Sequence, residues 1–364
     1  MTEESTKRKL IIAGGGTGGH LFPAVAVAEE FLSRSLEHEV LFINAGRPLD
    51  LRILGEKRLN FVALPVSGVK GLGFFKKIKS LFLLPRALYQ SIAILKDFNP
   101  QALFSVGGYS AAPAAFAAKL MGIPVILHEQ NSVPGLTTRI LARFAKEAHV
   151  SFAGTKLPIR EDRYFVSGNP VRKELFSCHK QTRKQDGTLK LLILGGSQGA
   201  HAINEAVCQT LPLLKKLKIH FVHQTGTADL ESVEAAYKKN GIPAEVFSFI
   251  HDMKTAYAHA DLVLCRAGAT TIAELAAAGL GAILVPFPAA ADNHQFYNAK
   301  ALVDVGAGIL VEEKDLGPEF LASLLAGLVR NPEKTDKIAE KAHLLAKKDA
   351  AKNITTAIMH YMSG

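Results

Sequence analysis

Short apolar runs alternate with longer stretches of helical spacing, and this pattern predicts an α/β fold. In the first part of the chain the runs are residues 9–13, 39–43, 60–64, 102–106 and 123–127. Residues 21–32, which follow the first run, have helical periodicity. Runs that are apolar on both faces and separated by helices indicate a parallel sheet covered on both sides.

The pattern stops at a polar stretch, residues 179–187, and then restarts. The second set of runs is residues 189–194, 219–222, 244–247, 261–264 and 282–285. A chain of 364 residues is long for one core, since domains usually hold roughly 100–200 residues. We therefore predict domains at 1–167 and 168–345, with a closing helix over 346–364 that packs back on the first domain.

Composition excludes several classes of protein. Hydrophobic residues make up 48% of the chain and charged residues 21%, as in ordinary globular proteins rather than disordered ones. Three distant cysteines predict neither a disulfide framework nor a zinc site, and they favour a reducing compartment. The N-terminus does not resemble a signal peptide. The longest uncharged run, residues 275–291, contains two glycines and two prolines, so we expect a soluble or peripheral protein.

The first run ends in a glycine-rich turn, Gly14-Gly-Gly-Thr-Gly-Gly19, that precedes a helix. Glycines permit positive φ and let backbone N–H groups approach a phosphate closely. A nicotinamide-cofactor site would also need an acid at the end of the second strand, but the first acid after that strand is Asp50. His20, in the first turn of the helix, is either a solvated or capping residue or a general base toward a hydroxyl.

A second glycine turn, residues 195–199, follows the first run of the second domain. Its Ser197 either caps the next helix or contacts a ligand phosphate. Farther along, Thr270 and Thr271 supply hydroxyls at another strand-to-helix turn. Glu274 either accepts two sugar hydroxyls or forms a capping box with Thr271. The chain contains no Asp-x-Asp pair, so the sequence does not predict a metal site.

Polar residues also follow buried runs at residues 128–131 and 292–295, where parallel sheets build their sites. The net charge is +10, and most of the excess lies in residues 1–167. Residues 57–96 hold eight basic residues and no acid, interleaved with Phe and Leu. This segment is either the solvated face of a surface helix or a contact with an anionic membrane. Nucleic acid is not predicted as a partner, because no recognition motif is present. The candidate membrane contacts are Lys70, Phe74, Phe75, Lys76, Lys77, Lys79, Phe82 and Arg86.

Taken together, these motifs resemble those of the MurG family of bacterial glycosyltransferases. The motifs that carry the resemblance occur in order at residues 14–24, 107–109, 128–135, 168–172, 195–200, 266–274 and 292–299. The likeness spans residues 8–345. It implies an α/β fold of GT-B architecture, with two Rossmann-like domains, a cleft between them and no cofactor.

The resemblance also implies an activity. A member of this family moves N-acetylglucosamine from UDP-N-acetylglucosamine to the 4-hydroxyl of lipid I, the undecaprenyl-diphosphoryl N-acetylmuramoyl pentapeptide. The product is lipid II of peptidoglycan synthesis, with the anomeric configuration inverted. The expected location is peripheral, on the cytoplasmic face of the inner membrane. Two alternatives stay open, a UDP-N-acetylglucosamine 2-epimerase and a membrane-docked nucleotide-sugar sensor.

The resemblance also implies site residues, at the positions of this sequence that match the motifs of the family. His20 is the expected base. Ile250 is expected to present its backbone to uracil. Thr270 and Thr271 are expected to lie by the diphosphate, with Arg172 as its counter-charge. Glu274 is expected to hold the ribose, and Gln295 is expected to hold the sugar. The full set of expected donor contacts is Thr17, Gly18, Gly19, Asn131, Arg172, Ser197, Ile250, Ala269, Thr270, Thr271, Ile272, Ala273, Glu274 and Gln295.

Overall fold

The structure, a computed structural model, describes residues 7–66, 74–178, 187–196 and 199–363, and of residues 74–83 the backbone alone. The chain divides into two compact units. The first comprises Met1–Val171 and Lys347–Gly364, and the second comprises Arg172–Ala346. In the described residues no helix has the length and apolar character of a membrane span.

The first unit is built on a seven-stranded parallel sheet. Its strands are β1 (Lys9–Ala13), β2 (Glu39–Asn44), β3 (Asn60–Ala63), β4 (Ala102–Ser105), β5 (Val125–Glu129), β6 (Glu147–Val150) and β7 (Tyr164–Val166). Its helices are α1 (Gly18–Leu32), α2 (Pro48–Glu56), α3 (Phe74–Phe98), α4 (Ala111–Leu120) and α5 (Leu136–Leu141). The strand order is β3-β2-β1-β4-β5-β6-β7, so the order reverses between β1 and β4.

The second unit repeats this scheme with six parallel strands. They are β8 (Leu189–Leu194), β9 (Ile219–Gln224), β10 (Ala244–Phe247), β11 (Leu262–Cys265), β12 (Gly281–Leu284) and β13 (Ile309–Leu310). The helices are α6 (His201–Leu214), α7 (Leu230–Asn240), α8 (Met253–Ala258), α9 (Ala269–Ala278), α10 (His294–Val303), α11 (Pro318–Arg330) and α12 (Pro332–Leu344). The order β10-β9-β8-β11-β12-β13 reverses between β8 and β11.

The last helix, α13 (Ala350–Tyr361), belongs to the first unit. Ile354 and Ile358 are fully buried in the same apolar cluster as Phe31 of α1. Full burial of such a side chain contributes about 1.5–3 kcal/mol. Two isoleucines on one face of α13 therefore suffice to hold it against α1.

Alternation along β1 explains why the first sheet is covered on both sides. Leu10 and Ile12 belong to the apolar cluster that contains α1, whereas Ile11 and Ala13 belong to the cluster that contains Ala114 of α4. All of these side chains are fully buried. Side chains alternate between the two faces of a strand, so a helix layer on each face buries a strand that is apolar throughout.

Predicted and observed strands agree at residues 9–13, 189–194 and 244–247 and are shifted elsewhere by one or two residues at one or both ends. The run at 123–127 is displaced, because β5 begins at Val125 and continues through His128 and Glu129. These two residues therefore lie inside the strand rather than after it. The sequence did not predict β6, β7 or β13.

Candidate functional site

The two strand-order reversals place the glycine turns of both units. At such a reversal the connections leave in opposite directions, and a crevice opens beyond the carboxyl ends of the strands. In the first unit the turns after β1 and β4 meet there. In the second unit the turns after β8 and β11 meet in the same way. Each unit therefore has one candidate ligand edge.

The first glycine turn requires glycine at its start. Gly14 has φ +129°, and a Cβ at this position would lie 2.5 Å from the carbonyl oxygen of Gly107. Gly107, after β4, also has positive φ, and a Cβ there would lie 3.7 Å from Nε2 of His20. The turns after β1 and β4 thus pack backbone to backbone, and the imidazole of His20 lies against them.

Two side chains from the α2 region hold Gly16 of this turn. The N–H of Gly16 donates to the carboxylate of Asp50, with nitrogen-to-oxygen distances of 2.9 and 3.1 Å. The carbonyl of Gly16 accepts from Nη1 of Arg47 at 3.0 Å. Asp50 is fully buried, and the Arg47 guanidinium also donates to the hydroxyl of Tyr109. The turn is therefore fixed in position, and it contains a buried carboxylate.

His20 lies in the first turn of α1, after Gly18 and Gly19. Its Nδ1 is 2.9 Å from Oγ1 of Thr17, the N-cap residue of the helix. The Thr17 hydroxyl makes no capping bond to the helix backbone and contacts the imidazole instead. The ring is half-buried. The structure thus brings the four predicted residues Thr17, Gly18, Gly19 and His20 together.

The polar residues around β5 are engaged within the first unit. Nδ1 of His128 accepts from the Gln130 amide at 3.0 Å, and its Nε2 donates to the carbonyl of Gly168 at 3.1 Å. Burial lowers the pKa of His128 to about 3, so the ring is neutral at neutral pH. The carboxylate of Glu129 accepts from the N–H groups of Asn131 and Gly135, while burial raises its pKa. These contacts hold the loop that carries Asn131.

The second glycine turn is tied to the segment that contains Ile250. Gln224, at the end of β9, donates through Nε2 to the carbonyl of Gly196 at 2.9 Å. Its Oε1 accepts from the N–H of Ile250 at 3.3 Å. Gln224 is buried, so one amide side chain fixes the spacing between the turn and Ile250. Ser197 lies outside the described residues.

Glu274 lies in the second turn of α9, and its carboxylate is held from two sides. Oε1 accepts from Nη2 of Arg172 at 3.2 Å, and Oε2 accepts from the hydroxyl of Tyr257 at 3.0 Å. Burial raises the pKa of Glu274, and the Arg172 charge opposes this. The motif match predicts separate roles for Arg172 and Glu274, whereas the structure pairs their side chains. A capping box between Thr271 and Glu274 is wrong, because Gly268 is the N-cap of α9.

The remaining predicted donor contacts lie around the N-termini of α9 and α10. Oε1 of Gln295 accepts from the N–H of Phe287 at 2.9 Å, and Asn298 of α10 donates to the carbonyl of Ala267 at 3.3 Å. Thus α10 is bonded to the turn that precedes α9. The predicted residues in the first two turns of α9 are Ala269, Thr270, Thr271, Ile272, Ala273 and Glu274.

The basic segment of the first unit is described only in part. Lys70 lies outside the described residues, and α3 begins at Phe74. The side chains of Phe74, Phe75, Lys76, Lys77, Lys79 and Phe82 also lie outside the described part. Arg86 is exposed, and the neighbouring Leu84 is 42% exposed. Among the described residues, no group of three or more His, Cys, Asp or Glu side chains is placed to hold a metal ion.

Comparison with known proteins decides the family. Residues 10–150 match the model of the glycosyltransferase family 28 N-terminal domain, and residues 190–354 match that of its C-terminal domain. A relative from Citrifermentans bemidjiense is 45% identical over 96% of this chain and 99% of its own length. That relative is named UDP-N-acetylglucosamine–N-acetylmuramyl-(pentapeptide) pyrophosphoryl-undecaprenol N-acetylglucosamine transferase. The chain belongs to the MurG family of glycosyltransferases.

Solved structures agree with this membership. The crystal structure of Acinetobacter baumannii MurG is 32% identical, has a TM-score of 0.80 and covers 97% of this chain and 99% of its own. A UDP-GlcNAc 2-epimerase from Neisseria meningitidis has a TM-score of 0.68 at 16% identity, covering 97% of this chain and 100% of its own. This second likeness concerns the fold alone. As a member of the MurG family, the chain is a glycosyltransferase with two α/β units, as the sequence predicts.

Sequence reasoning missed four residues that support these edges, namely Arg47, Asp50, Gln224 and Tyr257. One of them carried a usable signal. Gln224 belongs to the polar sequence His223-Gln224-Thr225 at the end of a buried run, the same signal that singled out residues 128–131. The others lie in helices or at a helix N-cap, where no local pattern distinguishes them from surface residues.

Proposed function

We propose that this chain transfers N-acetylglucosamine from UDP-N-acetylglucosamine to the 4-hydroxyl of lipid I, forming lipid II and UDP. The observation that carries the proposal is the 45% identity, along almost the full length of both chains, with a transferase named for these substrates. The acceptor is an undecaprenyl-linked N-acetylmuramoyl pentapeptide. Transfer inverts the anomeric configuration, because the hydroxyl displaces UDP directly.

The UDP-sugar binds at the ligand edge of the second unit. The backbone at Ile250 contacts uracil, and the carboxylate of Glu274 accepts the ribose hydroxyls. The diphosphate lies at the N-terminus of α9, where the backbone N–H groups of the first turn and the helix dipole favour an anion. Thr270 and Thr271 add hydroxyl donors. Nη2 of Arg172 bonds Glu274, but a guanidinium carries five N–H donors, so Arg172 also serves as a counter-charge to the diphosphate.

Charge distribution supports this placement of the donor. The buried carboxylate of Asp50 accepts the N–H of Gly16 in the first glycine turn. A diphosphate at that turn would meet a negative charge where a free N–H would otherwise bind it. The corresponding turn in the second unit is bonded instead by the neutral amide of Gln224. Departure of UDP leaves charge on the diphosphate, which the second unit stabilises with N–H groups, hydroxyls and Arg172.

His20 acts as the base in the first unit, the acceptor side. In the tautomer with a proton on Nδ1, that nitrogen donates to Oγ1 of Thr17 and leaves Nε2 as a proton acceptor. Nε2 lies beside the Gly107 turn, on the ligand edge. A neutral imidazole there takes the proton of the acceptor 4-hydroxyl as the hydroxyl attacks the sugar. Thr17 fixes the ring, and Gly18 and Gly19 leave room for the acceptor.

A lipid-linked acceptor requires contact with a membrane, and the basic segment supplies it. Lys70, Phe74, Phe75, Lys76, Lys77, Lys79, Phe82 and Arg86 face the anionic lipids of the cytoplasmic leaflet. Basic residues near such a surface contribute about 1 kcal/mol each. The protein is peripheral, on the cytoplasmic face of the inner membrane, and nucleic acid is not a partner.

The test is a transfer assay with purified protein, UDP-N-acetylglucosamine and a soluble lipid I analogue. We expect UDP and disaccharide in equal amounts, acceptor-dependent turnover and no loss of activity in EDTA. Formation of N-acetylmannosamine would indicate the epimerase, and binding without turnover would indicate the sensor. Loss of activity in EDTA would contradict metal-independent transfer.

A further inference from the structure

Tyr257 is a buried tyrosine whose hydroxyl faces Glu274. It lies on α8 and is 1% exposed, and its hydroxyl donates to Oε2 of Glu274 at 3.0 Å. Burial raises the pKa of Tyr257 well above its usual value, so the group stays protonated and remains a donor. Tyr257 and Glu274 come from different helices, and the bond therefore fixes the carboxylate relative to α8.

Arg172 holds the other oxygen of the same carboxylate. Its Nη2 donates to Oε1 at 3.2 Å, from the segment that precedes a short 3₁₀ helix, Lys173–Ser177. The Glu274 side chain retains 12% exposure, so the carboxylate is not sealed from a ligand. Three separate elements thus meet at one carboxylate, and among the described residues each of its oxygens has one donor, Arg172 on Oε1 and Tyr257 on Oε2.

The number of acceptor positions on the Glu274 carboxylate indicates what else it can bind. An ionised carboxylate has about four lone-pair positions, two on each oxygen. Tyr257 takes one on Oε2, and Arg172 takes one on Oε1. Within the part of the chain that the structure describes, one position remains on each oxygen, and two acceptor positions on one carboxylate match two neighbouring hydroxyls of one sugar ring.

We propose that Tyr257 is a positioning residue that orients Glu274 to accept the 2′- and 3′-hydroxyls of the donor ribose, and so selects ribonucleotides. The inference rests on the proposed function, because it takes a uridine nucleotide as the ligand of the second unit. Tyr257 touches no reacting atom and acts through Glu274. Without its hydroxyl, Oε2 loses its protein donor, and the buried carboxylate is free to rotate about its last torsion.

Protonation of Glu274 provides a second readout. Three groups besides burial act on its carboxylate, namely Arg172, Tyr257 and Glu174. Burial and Glu174 raise the pKa of Glu274, while Arg172 and Tyr257 lower it. Removing the Tyr257 hydroxyl therefore raises this pKa further. Because a protonated carboxyl loses acceptor capacity, nucleotide binding weakens as pH falls, and in the variant this weakening starts at higher pH.

The experiment compares UDP with 2′,3′-dideoxy-UDP by calorimetry, in the wild type and in Tyr257→Phe. The matched control is Tyr237→Phe, because Tyr237 is equally buried in the second unit but its hydroxyl contacts His223. We expect Tyr257→Phe to weaken UDP binding about tenfold and dideoxy-UDP binding less than about twofold. Tyr237→Phe leaves both nucleotides unchanged. In turnover, Tyr257→Phe raises KM for UDP-N-acetylglucosamine about tenfold and changes kcat by less than about twofold.

Three results would overturn the inference while the proposed function stands. The first is an equal loss for both nucleotides in Tyr257→Phe, which indicates a merely structural role. The second is unchanged UDP binding and an unchanged pH profile in that variant. The third is a wild type that transfers the sugar but does not distinguish UDP from dideoxy-UDP. Absence of transfer by the wild type contradicts the proposed function itself.

Discussion

The carboxylate of Asp50 accepts the backbone N–H of Gly16 at 2.9 Å, so the first glycine turn is bonded to a buried acid. In a dinucleotide-binding turn of the same spacing, such N–H groups are available to a phosphate. The Gly14–Gly19 turn and a dinucleotide-binding turn have the same glycine spacing. The N–H of Gly16, however, is bonded to a carboxylate of the protein, whereas a dinucleotide-binding turn bonds a phosphate of the ligand. The end of β2 carries no acid, but α2 carries Asp50, whose carboxylate bonds the glycine turn of the protein.

Removal of this acid tests its structural role. Asp50→Ala leaves the partly buried N–H of Gly16 without its acceptor, and we expect the free energy of unfolding to fall by about 1–3 kcal/mol. Urea denaturation monitored by circular dichroism measures the change. The control is Asp97→Ala at the exposed end of α3, where we expect a change within about 0.5 kcal/mol. Equal stability of the two variants would contradict the role of Asp50.

Replacement of His20 tests the proposed base. His20→Ala removes the proton acceptor but leaves the second unit intact. We expect kcat to fall by about 10²-fold or more and KM for UDP-N-acetylglucosamine to change less than about twofold. Steady-state transfer kinetics give both values, with the exposed His220→Ala as control. An unchanged kcat in His20→Ala would remove this residue from the chemistry.

The buried histidines predict how stability depends on pH. Burial lowers the pKa of His128 to about 3 and that of His223 to about 4, against an ordinary value of 6.5. Between these limits and pH 6.5 the unfolded chain binds more protons than the folded one. Stability from each ring is therefore complete above pH 6.5 and is lost as pH falls, by about 1.4 kcal/mol per unit.

Unfolding free energies at pH 4.5, 5.5 and 6.5 check this dependence. We expect His128→Gln and His223→Gln each to reduce the slope by about one proton, and the double variant by about two. The slope of unfolding free energy against pH still reports the protons bound, even where a variant is less stable at every pH. Slopes that match the wild type in both single variants would show that these rings are not neutral in the fold.

The amino-acid sequence predicted the sheets well because buried parallel strands are apolar on both faces. Residues 10–13 and 191–194 carry this signal without interruption, and all of them are buried. It fails at β6, Glu147–Val150, where Nδ1 of His149 is instead satisfied by the Ser167 hydroxyl at 2.7 Å. It fails also at β13, whose two residues are too few to form a pattern.

In the candidate site, too, some features have a local sequence signal and others have none. Glycine turns and polar strand ends are local signals, so the sequence could predict both candidate ligand edges. Long-range partners have no local signal. The bond between Tyr257 and Glu274 joins two helices across 17 positions, and that between Arg172 and Glu274 joins segments 102 positions apart. Only the packing of the second unit reveals that these three side chains form one group.

The basic segment is tested by charge reversal on vesicles. Lys76, Lys77 and Lys79 are replaced by Glu, and binding to vesicles of phosphatidylglycerol is measured by sedimentation. The control replaces Lys215, Lys216 and Lys218 by Glu, because they have the same spacing and are exposed directly after the end of α6. We expect the first variant alone to lose most of its binding, because each basic residue near the lipid contributes about 1 kcal/mol. Equal binding by both variants would identify the segment as a solvated helix face.

In the proposed function the second unit binds the UDP-sugar, and a crystal structure of the protein with UDP-N-acetylglucosamine would show where the nucleotide lies. We expect uracil against the backbone of Ile250, both ribose hydroxyls on the carboxylate of Glu274 and the diphosphate at the N-terminus of α9. A nucleotide whose ribose makes no contact with Glu274, or whose diphosphate lies on the Gly14–Gly19 turn beside Asp50, would contradict it.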